Sequence, residues 1–486
     1  MSSVSEVLPS PRVYRLRTWA WRTGTLLAAL VVAAFVVFLA RRDVPDALAS
    51  LSHPAQSGAR LMERHLAFYE DEAAIPAWQR GFFHLLFGDK EEIQQQALDA
   101  YRDILAHFAA HPHRAQSWDI RDTRVRLAVL QMETGELAAA EDTLAALGDM
   151  PEEEILADTV RYAYGLPLQA GVSMEEIQAG LRLFPSGWTR NKIRYLVATR
   201  AGFGNREHAR QRLLSQGQRL QRDTLRLSLG LFLIGLVGVA GFLILGRRRA
   251  APWQAAALGS GWPLRLVGQV LLLAAALAIL IFLALNTLPL PAELAILRQW
   301  GSLTAALPLL LLIHYRLLRP HGLGWRRAFG LCLRLRQVLP LLLAVALIMT
   351  VERVGAFTLG WAGYALGLAP HWADGISEAW LWPTREGQWL AAVDLVVWAP
   401  LVEEIAFRGV LHATLRQRLA PLPAALISAG IFAALHFYSL TGFLTVLWSG
   451  LVWAWAFERY RSLLPGLLSH AAGNLLALGL ILTFYR

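Results

Sequence analysis

Apolar residues gather into runs at nine places along the chain, at about 23–40, 227–246, 266–286, 300–318, 338–359, 389–413, 421–438, 442–458 and 463–484. At 1.5 Å of rise per residue, about 20 residues cross a hydrocarbon core of roughly 30 Å, so each run predicts a membrane-spanning helix. The first follows Arg12, Arg15, Arg17 and Arg22 and ends at Arg41 and Arg42, not at a small-residue cleavage site, which favours a retained anchor over a cleaved signal peptide. Between residues 43 and 226 the pattern changes to spaced apolar positions separated by Asp, Glu, Gln and Arg, the signature of water-soluble helices. Within 125–147 two helical patterns meet at Gly135, and Ser173 with Glu176 forms a capping-box signature ahead of another helix. The hairpin resembles the tetratricopeptide type; stacked repeats need about three units and three matching periods are not found, so an irregular helical domain fits as well. The expected fold class is all-α, a polytopic helical membrane bundle of about nine transmembrane helices with an extramembrane α-helical, tetratricopeptide-like domain. Its parts are an N-terminal segment with anchor (1–42), the helical domain (43–226), further transmembrane helices (227–330) and a C-terminal membrane domain (331–486).

Composition agrees: of 486 residues 55% are apolar and only 17% charged, and the mean hydropathy is +0.40, values that fit lipid better than water as solvent. The net charge of +10 comes almost wholly from arginine, Lys90 and Lys192 being the only lysines. Nucleic acid is excluded as a partner by placement, because many of these arginines lie in short stretches between apolar runs, where membrane topology uses them. With the N-terminus cytoplasmic, the inner stretches hold Arg247, Arg248, Arg249, Arg319, Arg326, Arg327, Arg334, Arg336, Arg416, Arg418, Arg459 and Arg461, and the short outer loops only Arg298, Arg353 and Arg385. That asymmetry predicts that residues 43–226 lie outside, and an Arg- and Ala-rich composition points to a bacterial inner membrane as the one crossed. Cys332 stands alone, which rules out an intrachain disulfide and a cysteine-built metal site. Trp19, Trp21, Trp300 and Trp389 near run boundaries read as interfacial anchors.

Charged side chains inside spanning helices cost on the order of 2.5–3.5 kcal/mol each, so their presence calls for a reason. The 389–413 run holds Glu403, Glu404 and Arg408, the 421–438 run His436, and the last run His470 and Asn474. Counted from the nearest inner marker, Glu403, His436 and His470 fall in one layer about 14–22 Å deep. Glu404 and Arg408 are four apart with the acid first, which suits an ion pair, while Glu403 points about 100° away round the helix. His470 and Asn474 share one face, and Phe432 lies one turn before His436. Peptide hydrolysis needs a base for water, donors for the oxyanion and an acid for the leaving amine. In this reading Glu403 activates water that His436 orients, His470 and Asn474 donate to the oxyanion, and Glu404 with Arg408 holds geometry and charge. A purely structural ion pair fits Glu404 and Arg408 equally, and a polar network that only joins helices is the plain alternative for the rest. Asp394 is a further intramembrane acid; His412 and His314 sit near helix ends within reach of water.

The segment EEIAFRG resembles the EExxxR motif of the CAAX-protease and bacteriocin-processing family, FAALH its FxxxH motif and HAAGN its HxxxN motif, with 33 and 34 residues between the leading acid and the successive histidines. The resemblance covers about residues 339–485. It implies a helical membrane bundle, endopeptidase activity on a peptide or membrane-protein substrate, and Glu403, Glu404, Arg408, His436, His470 and Asn474 as the functional positions. The Arg- and Ala-rich composition reads as bacterial, where maturation of a bacteriocin, self-immunity or processing of a signalling peptide fits better than prenylated substrates. No cofactor is expected. Catalytic zinc, held by two histidines and a glutamate, is the alternative, although HExxH is absent. A membrane receptor whose helical domain binds a protein partner is the rival of another class. A transporter is a third option, against which no internal repeat of the membrane half is visible.

Overall fold

A computed structural model describes residues 11–40, 47–148, 150–168, 171–202, 205–245, 256–287, 296–374, 381 and 385–485. Among these residues every regular element is a helix. The chain divides into two units, one of Met1–Asp43, Leu231–Pro370 and Pro383–Leu478, the other of Val44–Gly230, His371–Trp382 and Gly479–Arg486.

All nine apolar runs lie largely on helix. Among the described residues five helices are long and apolar enough to cross a membrane: Arg206–Ile244, Leu264–Leu285, Leu335–Ala365, Leu440–Tyr460 and Leu464–Phe484. The apolar stretches Trp21–Val37 and Pro421–Ala434 are shorter. Three predictions change in detail. The 421–438 run is helical only over Pro421–Ala434. The 300–318 and 389–413 runs are not uniform α-helices, because π-helical turns occupy Ile313–Leu318, Asp394–Trp398 and Glu404–His412. Arg353, assigned to an outer loop by counting, lies inside the Val338–Ala365 helix. Helices pack closely where glycine permits: a Cβ on Gly238 would stand 2.7 Å from the Ala346 carbonyl oxygen, so the 206–245 helix rests there directly on the backbone of its neighbour.

The second unit has its own apolar core, built on the helices Pro54–Phe68, Lys90–Ala110, Ser117–Thr134, Pro151–Tyr164 and Trp188–Arg200. The predicted hairpin is present: Ser117–Thr134 ends on Gly135 in the left-handed region, and Leu137–Ala145 follows, burying Ala140 and Leu144. The Ser173 box also forms, its hydroxyl accepting from the Glu176 amide and its own amide donating to the Glu176 carboxylate. The core of this unit encloses a charge. The Glu63 carboxylate, 4% exposed, accepts from Arg126 Nε at 3.1 Å and from the Trp188 amide at 3.1 Å. Gly187 makes the second contact possible, since it sits at φ +135° and an added Cβ would fall 1.3 Å from Glu63 Oε2. Gly187→Ala therefore combines backbone strain with the loss of a buried hydrogen bond. A cost of about 1–3 kcal/mol or more is expected. A lowered unfolding midpoint of the helical unit would show it, and an unchanged midpoint would contradict the contact.

Candidate active site

The segment 385–415 is a continuous helical rod whose pitch changes along its length. It is α-helical over Arg385–Val393 and Ala399–Glu403 and π-helical over Asp394–Trp398 and Glu404–His412. A π turn bonds i to i+5, which widens the rod and leaves backbone groups short of an α-helical partner; such turns concentrate at functional sites. Glu403 closes an α turn and Glu404 opens a π turn. The two side chains differ accordingly in access, Glu403 being 29% exposed and Glu404 1%.

Arg408 has no exposure at all. Its Nη1 lies 3.0 Å from Glu404 Oε1, the i,i+4 pair expected from the sequence. The guanidinium carbon stands 4.4 Å from the centroid of the Phe432 ring and 5.1 Å from that of Trp453. None of its nitrogens has hydrogen-bond geometry to a protein acceptor, so charge and ring faces hold it.

His470, on the Leu464–Tyr485 helix, lies between the two carboxylates. Its Nδ1 is 3.3 Å from Glu404 Oε1 and its Nε2 is 3.7 Å from Glu403 Oε2. The ring stacks on Trp453 with centroids 3.9 Å apart and planes at 16°, and meets the Phe432 ring edge-on at 6.3 Å.

His436 follows the end of its helix by two residues, in place of sitting inside it as expected. The helix stops because the chain folds into a turn, with the amides of His436 and Phe437 donating back to the carbonyls of Ala433 and Ala434 and Phe437 at φ +53°. The imidazole Nδ1 lies 2.8 Å from the Phe432 carbonyl oxygen, so Nδ1–H donates there and Nε2 carries the lone pair. The ring meets Phe432 at 4.7 Å and 70°. Phe432 thus touches Arg408 and both imidazoles, a role its place one turn before His436 only half disclosed.

Asn474 shares the helix of His470, but its amide nitrogen donates to the Leu395 carbonyl at 2.8 Å, inside the first π turn. One of its donors is therefore committed to the rod. His412, read from the sequence as lying near water, is fully buried with Nε2 3.0 Å from Glu458 Oε1. Sequence reasoning passed over a second charged cluster. Glu352, 2% exposed, accepts from Ser449 Oγ at 2.6 Å and pairs with Arg353, whose guanidinium lies close to Gly473, between His470 and Asn474 in sequence. The signal was available as two adjacent charges within the 338–359 run. Among the described residues no group of three or more His, Cys, Asp or Glu side chains converges in a way that could hold a metal ion.

A helical membrane protein with a buried arginine and two adjacent glutamates on one helical rod, a histidine on a second helix and another in the turn after a third is the class that fold and site define. Residues 385–476 match the family model described as Rce1-like, type II CAAX prenyl endopeptidase, the family whose motifs the sequence resembles. No curated protein and no solved structure matches the chain.

The buried pair gives a stability test. Arg408→Met leaves Glu404 as an unpaired buried charge and is expected to cost about 3–5 kcal/mol, while Glu404→Gln with Arg408→Met recovers most of that loss. Thermal unfolding of the detergent-solubilised variants measures both; equal destabilisation by the single and double changes would contradict the pairing.

Proposed function

We propose that the chain is an intramembrane endopeptidase that hydrolyses a peptide bond of a membrane-associated peptide or protein with water activated by Glu403. The observation that carries this reading is the placement of the more exposed glutamate 3.7 Å from a histidine that is backed by the buried one. Glu403 takes a proton from water and the oxygen adds to the scissile carbonyl, forming the C–O bond. His436, with Nδ1–H bound to the Phe432 carbonyl, accepts the water's other hydrogen at Nε2 and so aims its lone pair. His470 donates from Nδ1 to Glu404, which leaves Nε2 to receive the proton from Glu403 and then to donate toward the oxyanion. Collapse breaks the C–N bond, and His470 returns the proton to the leaving amine. The arrangement has the logic of a carboxylate-oriented imidazole in acyl transfer. Glu404 and Arg408 set the charge behind His470. Asn474 fixes the rod through Leu395 and has its second amide hydrogen left for the oxyanion.

His436 lies in non-helical backbone, and such backbone is tolerated at membrane depth only where it is covered by protein or lines a water-filled cavity. That supports water access on the side where Glu403 is exposed. Residues 43–226 stand outside the membrane in this reading, with the N-terminus cytoplasmic, and engage a protein partner or substrate.

Glu403→Gln is expected to lower cleavage by at least about 10²-fold without moving the unfolding midpoint. Comparison of membrane peptides by mass spectrometry between this variant and the parent identifies the substrate. Full biological function in both the Glu403 variant and a His436→Ala variant would instead favour a non-catalytic receptor or scaffold. The zinc-dependent version of the reading is tested separately: activity is expected to survive exhaustive treatment with a strong chelator, and a loss restored by added zinc would replace Glu403 as sole water activator with a metal.

A further inference from the structure

The first unit contains a cavity of about 530 Å³ whose lining includes none of Glu403, Glu404, Arg408, His436, His470 and Asn474. Its walls come from the 206–245, 338–365, 421–434 and 440–460 helices and include Phe242, Leu347, Leu422 and Ala425. Along the last of these helices Trp448, Leu451, Trp455 and Glu458 line it at positions i, i+3, i+7 and i+10, a single stripe. The Trp448 indole is fixed against Gly355 and donates to the Val351 carbonyl, so this wall is formed in advance. The stripe rises about 15 Å from Trp448 to Glu458, half the roughly 30 Å of a hydrocarbon core and hence the depth of one leaflet.

Its chemistry changes at one end. The whole lining is apolar except at Glu458, and Glu458 is ringed by basic side chains: Arg416 Nε binds Oε1, His412 Nε2 lies 3.0 Å from the same oxygen, and Arg461 Nη2 lies 3.9 Å from Oε2. Two guanidiniums against one carboxylate leave net positive charge at that end. Arg461 keeps 44% of its side chain exposed, and Arg416 21%. An apolar slot one leaflet long, closed at its Glu458 end by surplus arginine, has the polarity of a membrane lipid with an anionic head.

We propose that this cavity is a site for an anionic phospholipid, one acyl chain lying along Trp448, Leu451 and Trp455 and the phosphate resting against Arg416 and Arg461. Basic pockets between transmembrane helices are a recognised form of such sites, and the volume lies within the range of small-molecule pockets. The inference is independent of the proposed reaction, since Glu403, His436 and His470 take no part in it.

The test is native mass spectrometry of the full-length protein released from mixed micelles holding equal amounts of phosphatidylglycerol and phosphatidylcholine with the same chains. Retention of the anionic lipid at least about threefold over the zwitterionic one is expected. Arg416→Gln with Arg461→Asn should bring the ratio to near one; asparagine is chosen because residue 461 sits at φ +52°. Ala425→Phe, which fills the slot, should reduce retention of both lipids while keeping any preference. Equal retention by the unaltered protein overturns the proposal without reference to any variant. A preference that survives removal of both arginines also overturns it, as does displacement of the lipid by an isoprenoid-bearing peptide but not by excess phosphatidylglycerol.

Discussion

A guanidinium with no solvent exposure, inside a bundle of apolar helices, is the constraint around which the membrane unit is arranged. Left alone, such a charge would cost several kcal/mol in lost hydration. Arg408 is relieved by Glu404 at 3.0 Å on its own rod, by the face of Phe432 on the next helix and by Trp453 on the one after. Each of these three partners has a second duty at the site. Glu404 meets His470 Nδ1, Trp453 stacks on the same imidazole, and Phe432 edges both histidines. The groups that make the arginine tolerable are thus the groups that orient the imidazoles, and little else fits beside them: a Cβ on Gly450 would lie 3.0 Å from Arg408 Nη2.

The π turns follow from the same demand. An α-helical rod would carry Glu403 and Glu404 on a uniform 100° step, with its carbonyls bound within the helix. Widening at Glu404 changes that step where one carboxylate must turn inward to Arg408 and the other must not. The earlier π turn at Asp394–Trp398 has a parallel consequence, because the Leu395 carbonyl becomes the acceptor for Asn474 and so ties the rod to the helix of His470. Two local departures from regular geometry therefore set both the direction of the acids and the distance to the histidine.

Much of this was legible in the sequence wherever neighbours in the chain decide the outcome. Nine apolar runs became helices, Gly135 ended its helix, Ser173 capped with Glu176, and the four-residue spacing of Glu404 and Arg408 became an ion pair. What failed to show depends on partners far away in the chain or on a change of period. A periodicity argument assumes one pitch, so the π turns were invisible to it, and the helix of His436 was drawn four residues too long because apolar residues continue past Ala434 into the turn. Glu352 was absorbed into an apolar run and Arg353 counted to an outer loop, because the buried partner of Glu352, Ser449, lies 97 residues on. His412 looked terminal from the 389–413 pattern, and only the distant Glu458 makes it a buried group. Residues 43–226 yielded helices and one hairpin but no repeat, since their packing order is set by tertiary contacts that no period records.

Adjacent glutamates in one membrane helix double a desolvation cost, and the geometry suggests why both persist. A carboxylate that serves as a base for water needs access to water, and one that steadies an imidazole needs the opposite, a fixed place where the surroundings do not screen it. No single side chain meets both demands. Glu404, at 1% exposure and held by Arg408, has the second character; Glu403, at 29%, has the first. His470 spans the two, with one nitrogen toward each, so in the proposed reaction a proton taken at the accessible acid would have a path of a few ångströms to a ring oriented by the inaccessible one. Separating the acids by a full turn would lengthen that path by about 5.4 Å, beyond what one imidazole bridges. Neighbouring positions across a change from α to π pitch supply two environments within the span of a single histidine.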